Sequence, residues 1–220
     1  MSLPRPIKGV IFDMDGLLVD TEVVYRDAMI DAAAAIGREM PEHVFKRMIG
    51  LPGPSSDAVA QAHFGADFDM AAYNAVVMQR VEAALDAGVA LKSGVLEILD
   101  LLDKRRLPRA IATSSSHRAV LSHIGPSNIM GRFGAIIARG DYERGKPYPD
   151  PYLKAAEALG LDPADCLALE DSHNGVRAAH AAGMMTVMVP DLLDATDEML
   201  ELCVHIAESL HHVIELIGEG

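Results

Sequence analysis

The strongest constraint on the fold is an alternation of short apolar runs with helical patterns. The runs are apolar almost throughout and too short for helices, which is typical of parallel strands buried on both faces of a sheet. They lie at residues 7–13, 108–114, 134–138, 166–170 and 185–189. The helical patterns between the later runs lie at 94–106, 116–124, 150–160 and 174–182. This order predicts an α/β fold with an open, mostly parallel Rossmann-like sheet and helices on both faces.

The segment PDPYLKAAEALG shows the punctuation expected of one of these helices. Asp150 is predicted as its N-cap, Pro151 as its first helical residue and Gly160 as its stop signal, because these residue types favour those positions.

Between about residues 21 and 88 the pattern is helical and contains no convincing strand. A first helix is predicted to end at Gly37, a second to run from Ser55 or Ser56 to Gly65, and a third to end near Gly88. We therefore expect a small helical domain at residues 19–88, inserted into a sheet domain formed by residues 1–18 and 89–220. The two crossings between them are LLVDTE and DAGVALKSG.

The charge balance restricts the partners. The 220-residue chain carries 32 acidic and 19 basic residues, a net charge of −13, and it has no basic stripe. This argues against nucleic acid and against a membrane surface as partners, and no apolar run is long enough to span a bilayer. The two cysteines, Cys166 and Cys203, form no metal-binding motif, so a reduced, cytoplasmic setting is expected. A monomer is expected because no exposed apolar stripe is left over.

Polar side chains gather where the predicted strands end, and ligands of open α/β sheets bind beyond the carboxyl ends of the strands. They are Asp13 and Asp15 after the first run, Thr113, Ser114, Ser115 and Ser116 after the second, and Glu170 and Asp171 after the fourth. Lys146 stands in a Gly- and Pro-containing loop before the fourth run. Carboxylates suit Mg²⁺, and hydroxyls with N–H groups at a helix start suit phosphate. The pattern predicts a site for both.

Four segments carry a family resemblance: FDMDGLLVDTE, ATSSS, RGKPYPDPYLKAA and ALEDSHNGVRAAHAAGM. In this order and spacing they resemble the four motifs of the haloacid dehalogenase superfamily of hydrolases. The subgroup resembled is the β-phosphoglucomutase-like phosphatases, which carry a helical cap after the first motif. The resemblance covers about residues 7 to 190.

The resemblance implies a role for each motif residue. Asp13 would be the nucleophile that forms an aspartyl-phosphate, and Asp15 would be the general acid and base. Ser114, with Ser115 beside it, and Lys146 would bind the phosphoryl group. Mg²⁺ would be bound by Asp13, by the backbone carbonyl of Asp15, and by Asp171 with Glu170 in support. The implied activity is hydrolysis of a small phosphorylated metabolite, of the sugar or nucleoside phosphate class.

Two alternatives stay open. A sugar-phosphate mutase must hold a second phosphate, yet Tyr25 stands where the mutases carry a cap histidine. The loop MIGLPGPSS, apolar around Gly50, also lacks Lys and Arg between Ile49 and Ser56. A signalling module that keeps a phosphoryl group on Asp13 is disfavoured by Asp15, which is placed to activate water.

The remaining candidates concern substrate contacts and histidines. Glu22, Tyr25 and Arg47 in the predicted cap, and His117 beside the second motif, are candidate substrate contacts. His205, His211 and His212 are predicted to share a C-terminal helix and to form a solvated or helix-packing face.

Overall fold

A computed structural model describes residues 3–49, 51, 53–86 and 88–218 of the chain. The strands are β1 (Gly9–Phe12), β2 (Arg109–Ser116), β3 (Ala135–Arg139), β4 (Cys166–Glu170), β5 (Met185–Met188) and β6 (His205–Ile206). The helices before β2 are α1 (Thr21–Ala35), α2 (Glu42–Lys46), α3 (Gly53–Phe64), α4 (Met70–Asp86) and α5 (Val95–Arg105). Those after β2 are α6 (His117–Ile124), α7 (Asp150–Leu159), α8 (His173–Ala181), α9 (Asp197–Leu202) and α10 (Leu210–Gly218).

The six strands form one sheet in the order β3-β2-β1-β4-β5-β6, and every neighbouring pair is parallel. The predicted Rossmann-like sheet is thus confirmed. The strand β1 lies at its centre, hydrogen-bonded to β2 on one side and β4 on the other. The carboxyl ends of all six strands therefore meet at one edge, where the first, second and fourth runs end in polar residues.

Helices cover both faces of the sheet, and β1 shows how. Successive side chains of a strand point to opposite faces, and Val10 and Phe12 join an apolar cluster with residues of α5, α6 and α10. Ile11, between them, packs in a second cluster with residues of α7 and α8. All three side chains are fully buried, which explains why the strand reads as continuously apolar.

The helices α1 to α4 enclose an apolar cluster of their own, which includes Ala32, Val44, Tyr73 and Val81. On this basis we retain, as a proposal, the division into a helical cap at 19–88 and a sheet domain at 1–18 and 89–220. Gly50, around which the apolar loop was predicted, lies outside the described residues.

The two crossings between these parts are hydrogen-bonded to one another. Val19 and Leu91 form an antiparallel bridge, the Asp20 N–H donates to the Ala90 carbonyl at 3.1 Å, and the Lys92 N–H donates to the Leu18 carbonyl at 3.0 Å. The crossings therefore form a short two-stranded ribbon rather than two independent linkers.

Several local predictions were wrong. His205 does not share a helix with His211 and His212, because residues 205–206 pair with β5 as the edge strand β6. The helices α2 and α9 were not predicted. Asp150 is the first residue of α7 and not its N-cap, and its carboxylate accepts hydrogen bonds from Arg144 instead.

None of the helices that the structure describes is both long and apolar enough to cross a lipid bilayer.

Candidate functional site

A cavity of about 530 Å³ opens at the carboxyl edge of the sheet. Its wall contains most of the predicted site residues: Asp13, Asp15, Glu22, Ser114, Lys146 and Asp171. The structure adds residues that were not predicted for the site, among them Arg139, Tyr142 and Asn174. A second cavity of similar size, about 550 Å³, lies among the cap helices and contains none of the predicted site residues. The chemistry is therefore concentrated in the first cavity.

Asp13 follows the last residue of β1 and is 7% exposed. Its Oδ1 accepts a hydrogen bond from Lys146 Nζ at 2.5 Å, and the Lys146 side chain is itself 7% exposed. Burial raises the pKa of Asp13 to about 7, because the loss of solvation and the neighbouring acids outweigh the opposing effect of the Lys146 charge. Lys146 stays positively charged. Burial lowers its pKa, but the charges and hydrogen bonds of Asp13 and Glu170 outweigh this effect and raise the pKa overall.

Glu170, the last residue of β4, is fully buried and accepts hydrogen bonds at both oxygens. Oε1 accepts from Lys146 and from the Tyr152 hydroxyl, the latter at 2.6 Å. Oε2 accepts from the N–H groups of Asp171 and Ser172 and from the Ser172 hydroxyl, at 3.1 to 3.2 Å. With so many donors on it, Glu170 fixes Lys146 and the start of α8 in place. It supports a metal site better than it could coordinate one directly.

Asp171 is in the opposite situation. It is 9% exposed, and no residue in the described ranges donates a hydrogen bond to its carboxylate. Burial raises the pKa of Asp171 well above its usual value, and the charges of Asp13, Glu170 and Glu22 raise it further. Gly16 packs directly against it, since a Cβ on Gly16 would lie 2.1 Å from Asp171 Oδ2. A buried carboxylate without a donor is well suited to a cation.

The donor set fits Mg²⁺. One carboxylate oxygen from each of Asp13, Glu170 and Asp171 lies within 4.8 Å of the others. Three acids face the single positive charge of Lys146, which leaves two negative charges for a divalent ion to balance. Carboxylate oxygens are also the ligands that Mg²⁺ prefers. The raised pKa values of Asp13 and Asp171 agree with a missing positive charge, because without a cation these buried acids tend to retain their protons.

Asp15 is held by donors from three different segments. Its Oδ1 accepts from His123 Nδ1 at 2.8 Å and from the Thr21 hydroxyl at 3.0 Å, while Oδ2 accepts from the Ser115 hydroxyl at 2.6 Å. Burial opposes ionisation, but these hydrogen bonds outweigh it and lower the pKa of Asp15. Ser115, predicted beside the phosphate, thus contacts Asp15, and Ser114 is the serine of this motif that lines the cavity.

The candidate substrate contacts divide into two groups. Glu22 lines the cavity, and burial together with Asp15, Asp191 and Asp20 raises its pKa to about 7 against the effect of Lys92. Burial, Asp15 and Glu22 also raise the pKa of Tyr25, but Tyr25 is not among the described residues of the cavity wall and packs against the apolar cluster of the cap helices.

The other two candidates also lie outside the described cavity wall. Arg47 is exposed and is not among the described residues of the cavity wall. His117 is exposed and pairs with Asp141, with 2.9 Å between His117 Nε2 and Asp141 Oδ2.

Sequence reasoning missed His123, Thr21 and Tyr152. Thr21 carried a usable signal, because it lies within the first motif segment, FDMDGLLVDTE. His123 and Tyr152 each lie in a helix with apolar neighbours. From the sequence alone, such residues cannot be distinguished from ordinary core residues, because only the tertiary contacts show their polar partners.

Comparison with known proteins agrees with this geometry. Residues 10–189 match the sequence profile of the haloacid dehalogenase-like hydrolases. Hexitol phosphatase B of Escherichia coli is 32% identical over 206 residues, covering 86% of each chain. Protein CbbY of Rhodobacter capsulatus is 34% identical over 204 residues, covering 84% of this chain and 86% of its own.

Solved structures show the same relationship. A HAD family hydrolase from Deinococcus radiodurans, crystallised with bound phosphate and sodium, superimposes with a TM-score of 0.84 at 25% identity, covering 97% of this chain and 96% of its own. The chain therefore belongs to the haloacid dehalogenase-like hydrolase family.

Proposed function

We propose that this hydrolase is a Mg²⁺-dependent phosphatase that acts on a small phosphate monoester through an aspartyl-phosphate on Asp13. One observation carries the proposal: Asp13, Lys146 and Asp171 converge in one cavity, with Asp15 beside them. Phosphoryl transfer needs a nucleophile, a fixed positive charge and a carboxylate that can bind a metal ion, and Asp13, Lys146 and Asp171 offer these in turn. The names of relatives, such as hexitol phosphatase B, support the same reaction class.

In the first half-reaction, an Oδ atom of Asp13 attacks phosphorus and the ester P–O bond breaks. Its electron pair goes to the leaving oxygen, which takes a proton from the Asp15 carboxyl group and departs as an alcohol. The negative charge of the bound phosphate ester favours the protonated form of Asp15 that this step needs, against the hydrogen bonds that lower its pKa. In the second half-reaction, water attacks the same phosphorus and gives a proton to the Asp15 carboxylate. The Asp13–phosphorus bond breaks, phosphate leaves, and both acids return to their initial states.

The chain's own groups prepare this reaction. Lys146, held between Asp13 and Glu170, supplies a fixed charge for the phosphoryl oxygens, and the exposed Ser114 hydroxyl faces the same cavity. Asp13, Asp171 with Glu170 behind it, and the Asp15 backbone carbonyl would hold the Mg²⁺. When bound, Mg²⁺ supplies positive charge that favours the ionised form of Asp13 and stabilises the negative charge of the phosphoryl group.

The rest of the cavity wall supports a proposal for the substrate class. Glu22, Ser172, Asn174 and Tyr142 offer polar groups near the phosphate position, with Ile49 and Leu51 as apolar contacts. Such a surface suits a polyhydroxylated alcohol, and we place the substrate among sugar or nucleoside phosphates. A cytoplasmic setting and a monomeric state remain part of the proposal.

The test is phosphate release from a panel of sugar, nucleotide and small organic phosphates, with Mg²⁺ and with chelator. We expect Mg²⁺-dependent release that Asp13→Asn abolishes and that Asp197→Asn, a change in an exposed helix turn, leaves unchanged. With 4-nitrophenyl phosphate, whose leaving group needs little help from an acid, Asp15→Asn should accumulate phosphorylated protein, seen by intact mass, because its amide cannot activate water.

Two outcomes would contradict the proposal. Release that persists in Asp13→Asn would exclude Asp13 as the nucleophile. No release from any phosphate, together with isomerisation of a sugar phosphate primed by a bisphosphate, would establish the mutase instead.

A further inference from the structure

His123 is a buried titratable group at the site to which the proposed mechanism gives no role. It lies in the last turn of α6, is 4% exposed, and stands between the buried residues Val120 and Ile124 of the same helix. Its ring nitrogen Nδ1 lies 2.8 Å from Asp15 Oδ1, across 108 residues of sequence. Because its Nδ1 contacts a proposed catalytic acid, this buried histidine has a role beyond core packing.

The two oxygens of Asp15 have different partners. Oδ1 contacts the imidazole Nδ1 and the Thr21 hydroxyl, whereas the one described partner of Oδ2 is the Ser115 hydroxyl at 2.6 Å. A hydroxyl can donate or accept, so Ser115 can remain bonded whether or not Oδ2 carries a proton. An imidazole N–H can only donate, so it keeps its oxygen as an acceptor.

We propose that His123 is a positioning residue for Asp15: its Nδ1–H holds Oδ1 as the acceptor and leaves Oδ2 as the oxygen that gives and takes the proton. The inference rests on the proposed phosphatase function and names the atom that carries its acid–base step. In that step the proton leaves Asp15 Oδ2 for the departing alkoxide as the ester P–O bond breaks. It returns to Oδ2 from water as the Asp13–phosphorus bond breaks.

Holding one oxygen matters because a carboxyl group rotates freely about its Cβ–Cγ bond. Thr21 begins α1, Ser115 lies near the end of β2, and His123 lies in α6, so Asp15 is anchored from three directions. Without His123, Oδ1 would keep only a hydroxyl, and the proton-carrying oxygen would lose its fixed direction. Loss of such alignment costs rate more than binding.

The experiment separates positioning from simple core packing by the leaving group. The substrates are the best alkyl phosphate of the panel and 4-nitrophenyl phosphate, whose leaving group is a weak base and needs little help from an acid. The parameter is kcat/KM, which covers the steps up to cleavage of the ester bond. A residue that positions the acid affects the alkyl ester selectively, whereas a general loss of structure lowers both values in proportion.

Three variants form the comparison. His123→Leu removes the donor at similar volume, His123→Asn keeps an N–H near the position of Nδ1, and His123→Gln moves the amide to the position of Nε2. We expect Leu and Gln to lower alkyl kcat/KM at least about tenfold more than the 4-nitrophenyl value, within the range of general acid catalysis. Asn should stay within about threefold of wild type on both substrates. His180→Leu, a histidine that bonds to the Leu202 carbonyl instead, is the control and should show no such selectivity.

Each result decides a separate point. Equal proportional losses on both substrates, or an Asn variant no better than Gln, would overturn the role of His123 while leaving the phosphatase intact. If His123→Leu does not fold, the Asn and Gln pair carries the comparison alone. A wild-type chain that releases phosphate from neither substrate would refute the proposed function, and the inference with it.

Discussion

At Gly175, in the first turn of α8, we expect the addition of a single methyl group to lower both stability and activity. A Cβ built on Gly175 would lie 1.8 Å from Glu170 Oε1, well inside the 3.0 Å below which real Cβ contacts essentially never occur. Either the Glu170 carboxylate or the start of α8 would therefore have to move by more than 1 Å in Gly175→Ala. Neither can do so cheaply, because Lys146, Tyr152 and Ser172 all bond to that carboxylate.

The energies oppose one another. Alanine in a helix is favoured over glycine by about 1 kcal/mol, which would stabilise the variant if the space were open. Breaking the hydrogen bonds of a buried charge costs about 3 to 5 kcal/mol. The net expectation is a loss of about 2 to 4 kcal/mol, equivalent to a fall in melting temperature of roughly 4 to 16 °C for a chain of this size.

Urea unfolding and phosphate release measure the two consequences together. Because Glu170 also holds Lys146, we expect kcat to fall at least about tenfold in the folded variant. Gly131→Ala is the matched control: nothing lies within 4 Å of a Cβ there, so stability should change by no more than about 0.5 kcal/mol. Wild-type stability and activity in Gly175→Ala would refute the account of Glu170 as the hub of the site.

Three further predictions follow from the same contacts. In metal-stripped protein, Mg²⁺ at a hundred times its Kd should stabilise the fold by about 2.7 kcal/mol; thermal unfolding of Asp171→Asn should show less of this shift than Asp197→Asn. Glu22→Gln should be more stable than wild type near pH 8, by about 1 to 3 kcal/mol, and equal to it near pH 4. The sign follows because burial raises the pKa of Glu22 from 4.5 to about 7. Between these two pH values the unfolded chain releases the Glu22 proton while the folded chain keeps it, so the wild-type protein loses stability as the pH rises. Urea titrations would contradict this if the stability difference between variant and wild type were the same at both pH values. Tyr152→Phe should cost about 1.5 to 3 kcal/mol in urea unfolding, since it removes a hydrogen bond to a buried charge, and an unchanged midpoint would show that Glu170 does not need it.

Much of the site could be predicted because its signals are local. Asp13 and Asp15 directly follow a buried strand, Glu170 and Asp171 end another, and the geometry of a parallel sheet brings such ends together. Lys146 was predictable from the family pattern around it. The separate roles of the two acids were harder to predict from the sequence. Glu170 and Asp171 are adjacent, yet the Glu170 carboxylate accepts several hydrogen bonds and the Asp171 carboxylate accepts none from the described residues.

The errors and omissions have physical causes. The strand β6 has two residues and exists only because β5 offers a free edge, so no local pattern could distinguish it from the helix that follows. Arg47, in the turn after α2, and His117, the first residue of α6, lie outside the described cavity wall, because the direction of a side chain at a helix end depends on how that helix packs. His123 was missed because its partner, Asp15, is 108 residues away.

The central place of β1 in the sheet has a consequence for how the protein comes into being. Both neighbours of β1 come from far along the chain, at residues 109–116 and 166–170. During synthesis β1 therefore has no partner until β2 has been made, and it lacks its second neighbour until β4 follows. Contacts of such large sequence separation slow folding, because the intervening loops must close first. Recovery of enzymatic activity during refolding would thus mark the pairing of β4 with β1, because a chain truncated before β4 would keep Asp13, Asp15 and Lys146 but lack Glu170 and Asp171.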